Sequence, residues 1–118
     1  MHELSITEAL LNTACQTAEQ QQAKRVTALN IKIGKLSGII DDSVQFYWDI
    51  ITKETVCQGS TLNFTHIPAK FECRECNTVF EITDDLIPCP TCESMDLHIV
   101  QGDEFLLESI EIEKSQHE

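Results

Sequence analysis

Two Cys-x-x-Cys pairs, Cys73/Cys76 and Cys89/Cys92, stand twelve residues apart in this 118-residue chain, and they constrain its fold more than any other feature. A two-residue gap lets a tight turn aim both sulfurs of a pair at one ion, and two such pairs make a tetrahedral thiolate site of the kind zinc occupies. Four protein thiolates leave no coordination position for water, so an ion held there cannot generate hydroxide or polarise a substrate. The spacing predicts structural zinc; two redox-active pairs or a four-thiolate iron centre are the alternatives.

The length permits one ordinary domain, or one small domain plus a metal-stapled module, because a piece of a few tens of residues buries too little core to stand alone. The opening Met1-His2-Glu3-Leu4-Ser5 lacks the basic start and apolar run of a signal peptide, and no apolar run is long enough to span a bilayer. The expectation is a cytoplasmic, reduced protein with no membrane partner. Cys15 and Cys57 are then free thiols that pack as small apolar side chains.

Charge bears on the choice of partner. The net charge is −12, and between Ala69 and Gln101 only Lys70 and Arg74 oppose Glu72, Glu75, Glu81, Asp84, Asp85, Glu93 and Asp96. Thiolates around a divalent ion add about two further negative charges, so a nucleic acid would be repelled. Lys24, Arg25, Lys32 and Lys35 are the one basic concentration, read either as a solvated edge or as a docking face for an acidic protein.

Periodicity supplies the frame. Ser5-x-x-Glu8 has the form of a capping box opening a helix that runs to about Gln22, with Leu4, Leu11, Cys15 and Ala18 on one face, flanked by Leu10 and Ala14. From Val26 the period falls to two through Leu29, Ile31 and Ile33 as far as Gly34. Asp42-x-x-Gln45 caps a second helix whose stripe is Val44, Tyr47, Trp48 and Ile51, backed by Phe46 and Ile50. Thr61 to Ile67 alternates again, parallel to the first strand by its connection. Glu104 to Glu113 alternates once more, with Leu106, Ile110 and Ile112 on one side, and returns to the same sheet. The expected fold is α+β: a small mixed three-stranded sheet with two helices, plus an inserted four-cysteine zinc-ribbon module. Residues 1–68 and 102–118 form the first body and 69–101 the second.

The N-terminus offers a second metal site. Methionine aminopeptidases accept only small second residues, so His2 keeps Met1 in place with its α-amine free. That amine, the next two backbone amides and one imidazole can close fused chelate rings around an ion that prefers a square plane, Ni(II) or Cu(II). Which amides ionise is open, and a His at position two is more often a plain surface residue. The Glu3 carboxylate either favours the helix start or touches metal.

Met1-His2-Glu3-Leu4-Ser5, Arg25-Val26-Thr27-Ala28 followed by Ile33-Gly34-Lys35-Leu36-Ser37, the two cysteine pairs, and Gly102-Asp103 followed by Ser109-Ile110-Glu111-Ile112 make the chain similar to the HypA/HybF family of hydrogenase maturation proteins. The similarity spans nearly the whole chain. It implies a nickel metallochaperone for [NiFe] hydrogenase maturation, not an enzyme, with nickel on His2 and the backbone nitrogens of Met1 and Glu3, and zinc on Cys73, Cys76, Cys89 and Cys92. It also implies work with the HypB-type GTPase and delivery to the hydrogenase large-subunit precursor; a homodimer is open.

One departure bears on the substrate. Some members of that family carry His beside the zinc cysteines, linked to pH response and urease maturation, whereas here Asn77, Thr78 and Glu93 stand there. A hydrogenase role is favoured over a urease role. His66, His98 and His117 read as ordinary residues, the last in a frayed, exposed tail. No nucleophile and base pair or phosphate loop speaks for an enzyme. The alternative function is a zinc-ribbon adaptor in protein assembly, its nucleic-acid form disfavoured by the charge.

Overall fold

The computed structural model describes residues 2–82 and 86–114, with His2 described through its backbone alone. Met1, Asp84, Asp85 and His117 lie outside the described residues. The elements are α1 (His2–Gln20), β1 (Ala23–Gly34), α2 (Asp41–Ile51), β2 (Thr61–Ile67), β3 (Ala69–Cys73), β4 (Val79–Ile82), β5 (Leu97–Gln101) and β6 (Phe105–Lys114). Two three-stranded sheets result, of order β2-β1-β6 and β4-β3-β5, so the four-cysteine module falls in sequence between the second and third strands of the first sheet. Two helices with a small mixed sheet and a four-cysteine module are the fold class expected from the sequence.

The chain divides into two compact units. One comprises Met1–Ile31, Ile39–Thr65 and Leu106–Glu118, and the other Lys32–Gly38 and His66–Phe105.

In the first unit α1 packs against α2. The buried stripe of α1 is Thr7, Leu10, Ala14 and Ala18, whereas Leu4, Leu11 and Cys15 are only half-buried. The stripe lies about one position away from the one expected and takes in a polar residue, Thr7. Its hydroxyl donates to the Glu3 carbonyl of its own helix, so the residue packs as if it were apolar. The helix also begins three residues before Ser5, so the expected capping box does not form its start.

In α2 the core residues are Val44 and Trp48, both fully buried, and the indole N–H of Trp48 donates to Ser60 Oγ at 2.9 Å. Phe46 and Ile50, expected to back the core, are exposed instead. They lie two positions from Val44 and Trp48, about 200° around the helix, and so project from its opposite side. No side chain caps α2: its N-cap is Ile40, and Asp41 Oδ1 accepts the Asp42 N–H at 2.8 Å.

The first sheet is mixed. Asn63 Nδ2 donates to Asn30 Oδ1 at 3.1 Å and the Lys35 N–H to the Ile67 carbonyl at 2.9 Å, partners that advance together as in parallel strands. Against β6 the partners run oppositely: Thr27 Oγ1 donates to the Glu111 carbonyl at 3.1 Å and Asn30 Nδ2 to Ser109 Oγ at 3.0 Å. Ile110 and Ile112 are half-buried, but Leu106 is exposed.

In the second unit, glycine is dictated at two positions. A Cβ on Gly34 would stand 2.2 Å from the Gly102 carbonyl oxygen, and one on Gly102, whose φ is +114°, 2.8 Å from Ala69 Cα. These are the glycines of the Ile33-Gly34-Lys35 and Gly102-Asp103 segments.

Candidate metal centre

The module is built on a short antiparallel sheet with β3 at its centre. β3 pairs with β4 through Ala69↔Ile82 to Glu72↔Val79, and with β5 through Phe71↔Ile99 to Cys73↔Leu97. Phe71 and Phe80 face each other across β3 and β4 with ring centroids 6.5 Å apart. Cys73 ends the central strand, so the sheet sets the position of the first sulfur.

Both cysteine pairs adopt one local geometry. The Cys73 N–H donates to the Thr78 carbonyl at 2.9 Å, and the Asn77 N–H to the Cys73 carbonyl at 2.8 Å. At the second pair the Cys89 N–H donates to the Ser94 carbonyl at 2.9 Å, and the Glu93 N–H to the Cys89 carbonyl at 2.8 Å. The residue after each second cysteine takes a left-handed backbone, φ 65° at Asn77 and 63° at Glu93. That turn reverses the chain tightly enough for both sulfurs of a pair to face the same way. Asn accepts it readily; Glu93 carries a cost of about 1 kcal/mol that the closed turn must offset.

The two turns are tied together. Ser94 Oγ donates to Glu75 Oε2 at 2.8 Å and accepts the Asp96 N–H at 3.0 Å, and the Arg74 N–H donates to the Asp96 carbonyl at 2.9 Å. The four sulfurs consequently converge. Cys73 and Cys92 Sγ are 3.5 Å apart, as are Cys76 and Cys89 Sγ, and all four lie within 4.8 Å of one another. A tetrahedron with about 2.3 Å zinc–sulfur bonds has edges of about 3.8 Å, within that range. Cys73 and Cys89 are buried, Cys76 and Cys92 exposed, so a metal here would lie at the surface of the module yet fully enclosed by sulfur.

The thiols' acidities show what such crowding requires. Burial pushes Cys89 up, but the backbone groups of Cys92 and Thr91 and the sulfurs of Cys76 and Cys92 outweigh it and bring it down to about 6. The Thr78 hydroxyl, 3.1 Å from Cys76 Sγ, lowers Cys76. The Ser94 backbone lowers Cys92, but the Cys73 sulfur, desolvation and the sulfurs of Cys76 and Cys89 together outweigh it and push it up to about 12. Protein groups alone thus support ionisation of some thiols at the expense of others, and a divalent cation is what lets all four ionise. The donor set fits zinc. All-sulfur ligation supplies structural cross-linking and no open position.

The remaining expected site residues are dispersed. His2 and Glu3 open α1, Met1 lies outside the described residues, and the first amides of the helix have no intrahelical partners. Glu3 Oε2 accepts the Ile40 N–H at 3.4 Å, so its carboxylate serves the start of α2. His98, read as an ordinary strand residue, has its Nε2 3.0 Å from Glu72 Oε1 across β5 and β3, and its Nδ1 is buried without a partner among the described residues. His66 lines a small cleft of about 330 Å³ with Lys35, Ile67 and Pro68. Among the described residues the cysteine quartet is the one group of three or more metal-ligating side chains with converging donor atoms.

A family model described as hydrogenase/urease nickel incorporation, metallochaperone, hypA matches residues 1–112. Relatives include a hydrogenase maturation factor HypA of Dehalococcoides mccartyi, 42% identical over 113 residues that cover 96% of this chain and 95% of the relative. The hydrogenase maturation factor HybF of Escherichia coli is 37% identical over 113 residues, covering 96% of this chain and all of the relative. The solution structure of the Ni metallochaperone HypA from Helicobacter pylori superposes with a TM-score of 0.69 at 25% identity, covering 96% of this chain and 98% of that one. A second HypA solution structure gives 0.73 at 26% identity, covering 95% and 96%.

Proposed function

The chain belongs to the HypA family of nickel metallochaperones for hydrogenase maturation, and on that premise we propose how its own residues divide the work. Cys73, Cys76, Cys89 and Cys92 hold zinc as a permanent cross-link within residues 69–101. Nickel is cargo, held by His2 together with the backbone nitrogens of Met1 and Glu3 in the body formed by 1–68 and 102–118. The observation that carries this division is the closure of the cysteine site: four converging sulfurs leave no position through which an ion could be loaded and passed on. An open chelate of a few residues at a chain end can release its ion to a receiving site, which a closed cage does slowly.

The proposal requires that Met1 be the first residue of the processed protein. It also places the protein in the cytoplasm, in contact with a HypB-type GTPase and the large-subunit precursor of a [NiFe] hydrogenase. Docking and handover are its whole activity; no substrate is chemically transformed. Among the described residues, no helix is long and apolar enough to cross a membrane.

A pull-down from reduced extract tests the assignment of partners. Recovery of the GTPase or of the large-subunit precursor is expected. Tight binding to nucleic acid at physiological salt, with neither protein recovered, supports a zinc-ribbon adaptor instead.

A further inference from the structure

A hydroxyl residue stands two positions after the second cysteine of each pair, Thr78 after Cys76 and Ser94 after Cys92. Cys76 and Cys92 are also the two exposed sulfurs, and each takes a hydrogen bond from the backbone of that following residue. The side chains break the symmetry. Thr78 Oγ1 lies 3.1 Å from Cys76 Sγ, and the Thr78 and Thr91 hydroxyls are 3.2 Å apart. A metal-bound thiolate has no proton to give, so the Thr78 proton goes to the sulfur and the Thr91 hydroxyl can donate to the Thr78 oxygen.

Ser94 is committed elsewhere. Its hydroxyl donates to Glu75 Oε2 at 2.8 Å, and its oxygen accepts the Asp96 N–H at 3.0 Å. Among the described residues, Cys92 Sγ has the other ligand sulfurs and the Ser94 backbone for partners, and no hydroxyl. A hydrogen bond to a thiolate stabilises its charge and lowers its basicity, and nucleophilicity falls with basicity. Cys76 is therefore quenched and Cys92 is not, while burial shields Cys73 and Cys89 from any reagent.

We propose that Cys92 is a modification site for neutral soft carbon electrophiles, the one ligand of the quartet that reacts while the centre is intact. The proposal rests on the zinc assignment, because the metal is what keeps all four sulfurs ionised. With an alkyl halide, a sulfur lone pair forms the S–C bond as the carbon–halogen bond breaks, and the halide leaves with the electrons of that bond. The product is a neutral thioether, a weaker zinc ligand than a thiolate, so the cross-link within residues 69–101 opens at Cys92. Glu93 follows Cys92 directly in a chain of net charge −12, which disfavours anionic reagents.

The test uses the zinc-loaded full chain carrying Cys15→Ala, which removes the half-buried thiol outside the quartet. Zinc content is measured first. A substoichiometric amount of iodoacetamide is then added, labelled cysteines are mapped by peptide mass spectrometry, and zinc release is followed with a chromogenic chelator. Cys92 should label about fivefold or more faster than Cys76, as part of one charge-assisted hydrogen bond would give, with zinc release tracking the Cys92 label. Thr78→Val strips the hydroxyl from Cys76 and should bring its rate to within about twofold of Cys92, whereas Thr78→Ser should keep the difference. With zinc bound, Cys76 labelled first or equally fast, or neither sulfur labelled, overturns the proposal and leaves the zinc assignment standing. So does a Cys76 rate that Thr78→Val leaves unchanged. Absence of bound zinc at the outset overturns the zinc assignment and the proposal with it.

Discussion

Glu3 Oε2 accepts a hydrogen bond from the Ile40 N–H at 3.4 Å, joining the first turn of α1 to the start of α2. The carboxylate stands where the partial positive charge of the α2 N-terminus is greatest, and α2 has no side-chain cap of its own. Side chain and backbone of Glu3 therefore have separable tasks. Glu3→Ala should cost about 0.5–1 kcal/mol of stability, whereas Glu3→Gln, which keeps an acceptor, should lose less. Both should retain nickel, because the proposed ligand is the backbone nitrogen. Chemical denaturation and nickel titration of the two variants check this, and nickel loss in Glu3→Gln would make the carboxylate a ligand.

Zinc content and protease resistance should fall together when any one of the four cysteines is changed to Ser. Structural zinc supplies on the order of 10 kcal/mol to small metal-dependent bodies, so loss of a ligand should loosen this one. New cleavage is expected between Ala69 and Gln101. Cys15→Ala, outside the quartet, should leave zinc untouched.

The chain has one tryptophan, so its fluorescence reports a single place. Trp48 is fully buried with its N–H on Ser60 Oγ, which in turn donates to the Cys57 carbonyl at 2.6 Å. Ser60→Ala leaves that indole N–H without its partner and should cost about 1–3 kcal/mol. Ser60→Thr keeps the hydroxyl and should cost less. Equal unfolding midpoints for wild type and Ser60→Ala, followed by fluorescence, would contradict this reading.

Burial, and after it the neighbouring Cys15 thiol, push Cys57 up to about 12 from an ordinary 9.0. A group whose folded pKa is raised contributes stability that is complete below its unfolded value and lost as pH rises through the folded one. Stability should therefore decline from 9.0 toward about 12, with Cys57→Ala, though weaker overall, lacking that component of the slope. Urea unfolding across this range supplies the comparison, and identical slopes would assign the alkaline loss to other groups.

The metal site was legible because its chemistry is local: each Cys-x-x-Cys pair encodes its own turn, and two turns suffice for four ligands. The sheet and helices were legible from periodicity, with errors where polarity and burial part company. Thr7 is buried although polar, and Phe46, Ile50 and Leu106 are exposed although apolar. Contacts between residues distant in sequence gave no signal at all. Neither the Glu3 carboxylate's use by Ile40 nor the His98–Glu72 pair follows from spacing, since each depends on which elements the fold sets side by side. Likewise the left-handed turn at Glu93 could not be expected from a residue type that rarely adopts it.

The central claim is that nickel is held at the chain end by the α-amine and His2 together, and calorimetry on three proteins tests it most directly. Native protein, His2→Ala, and a form with one residue added before Met1 are titrated with nickel at equal zinc content. The added residue displaces the amine from its chelate position while leaving every side chain in place. The account predicts that both altered forms lose nickel affinity to a similar, severe extent. It also predicts that native affinity falls with pH as protons compete for an amine of about 7.7–8.0 and an imidazole of about 6.5. Equal nickel affinity in all three proteins would contradict the terminal site and return attention to His66 and His98.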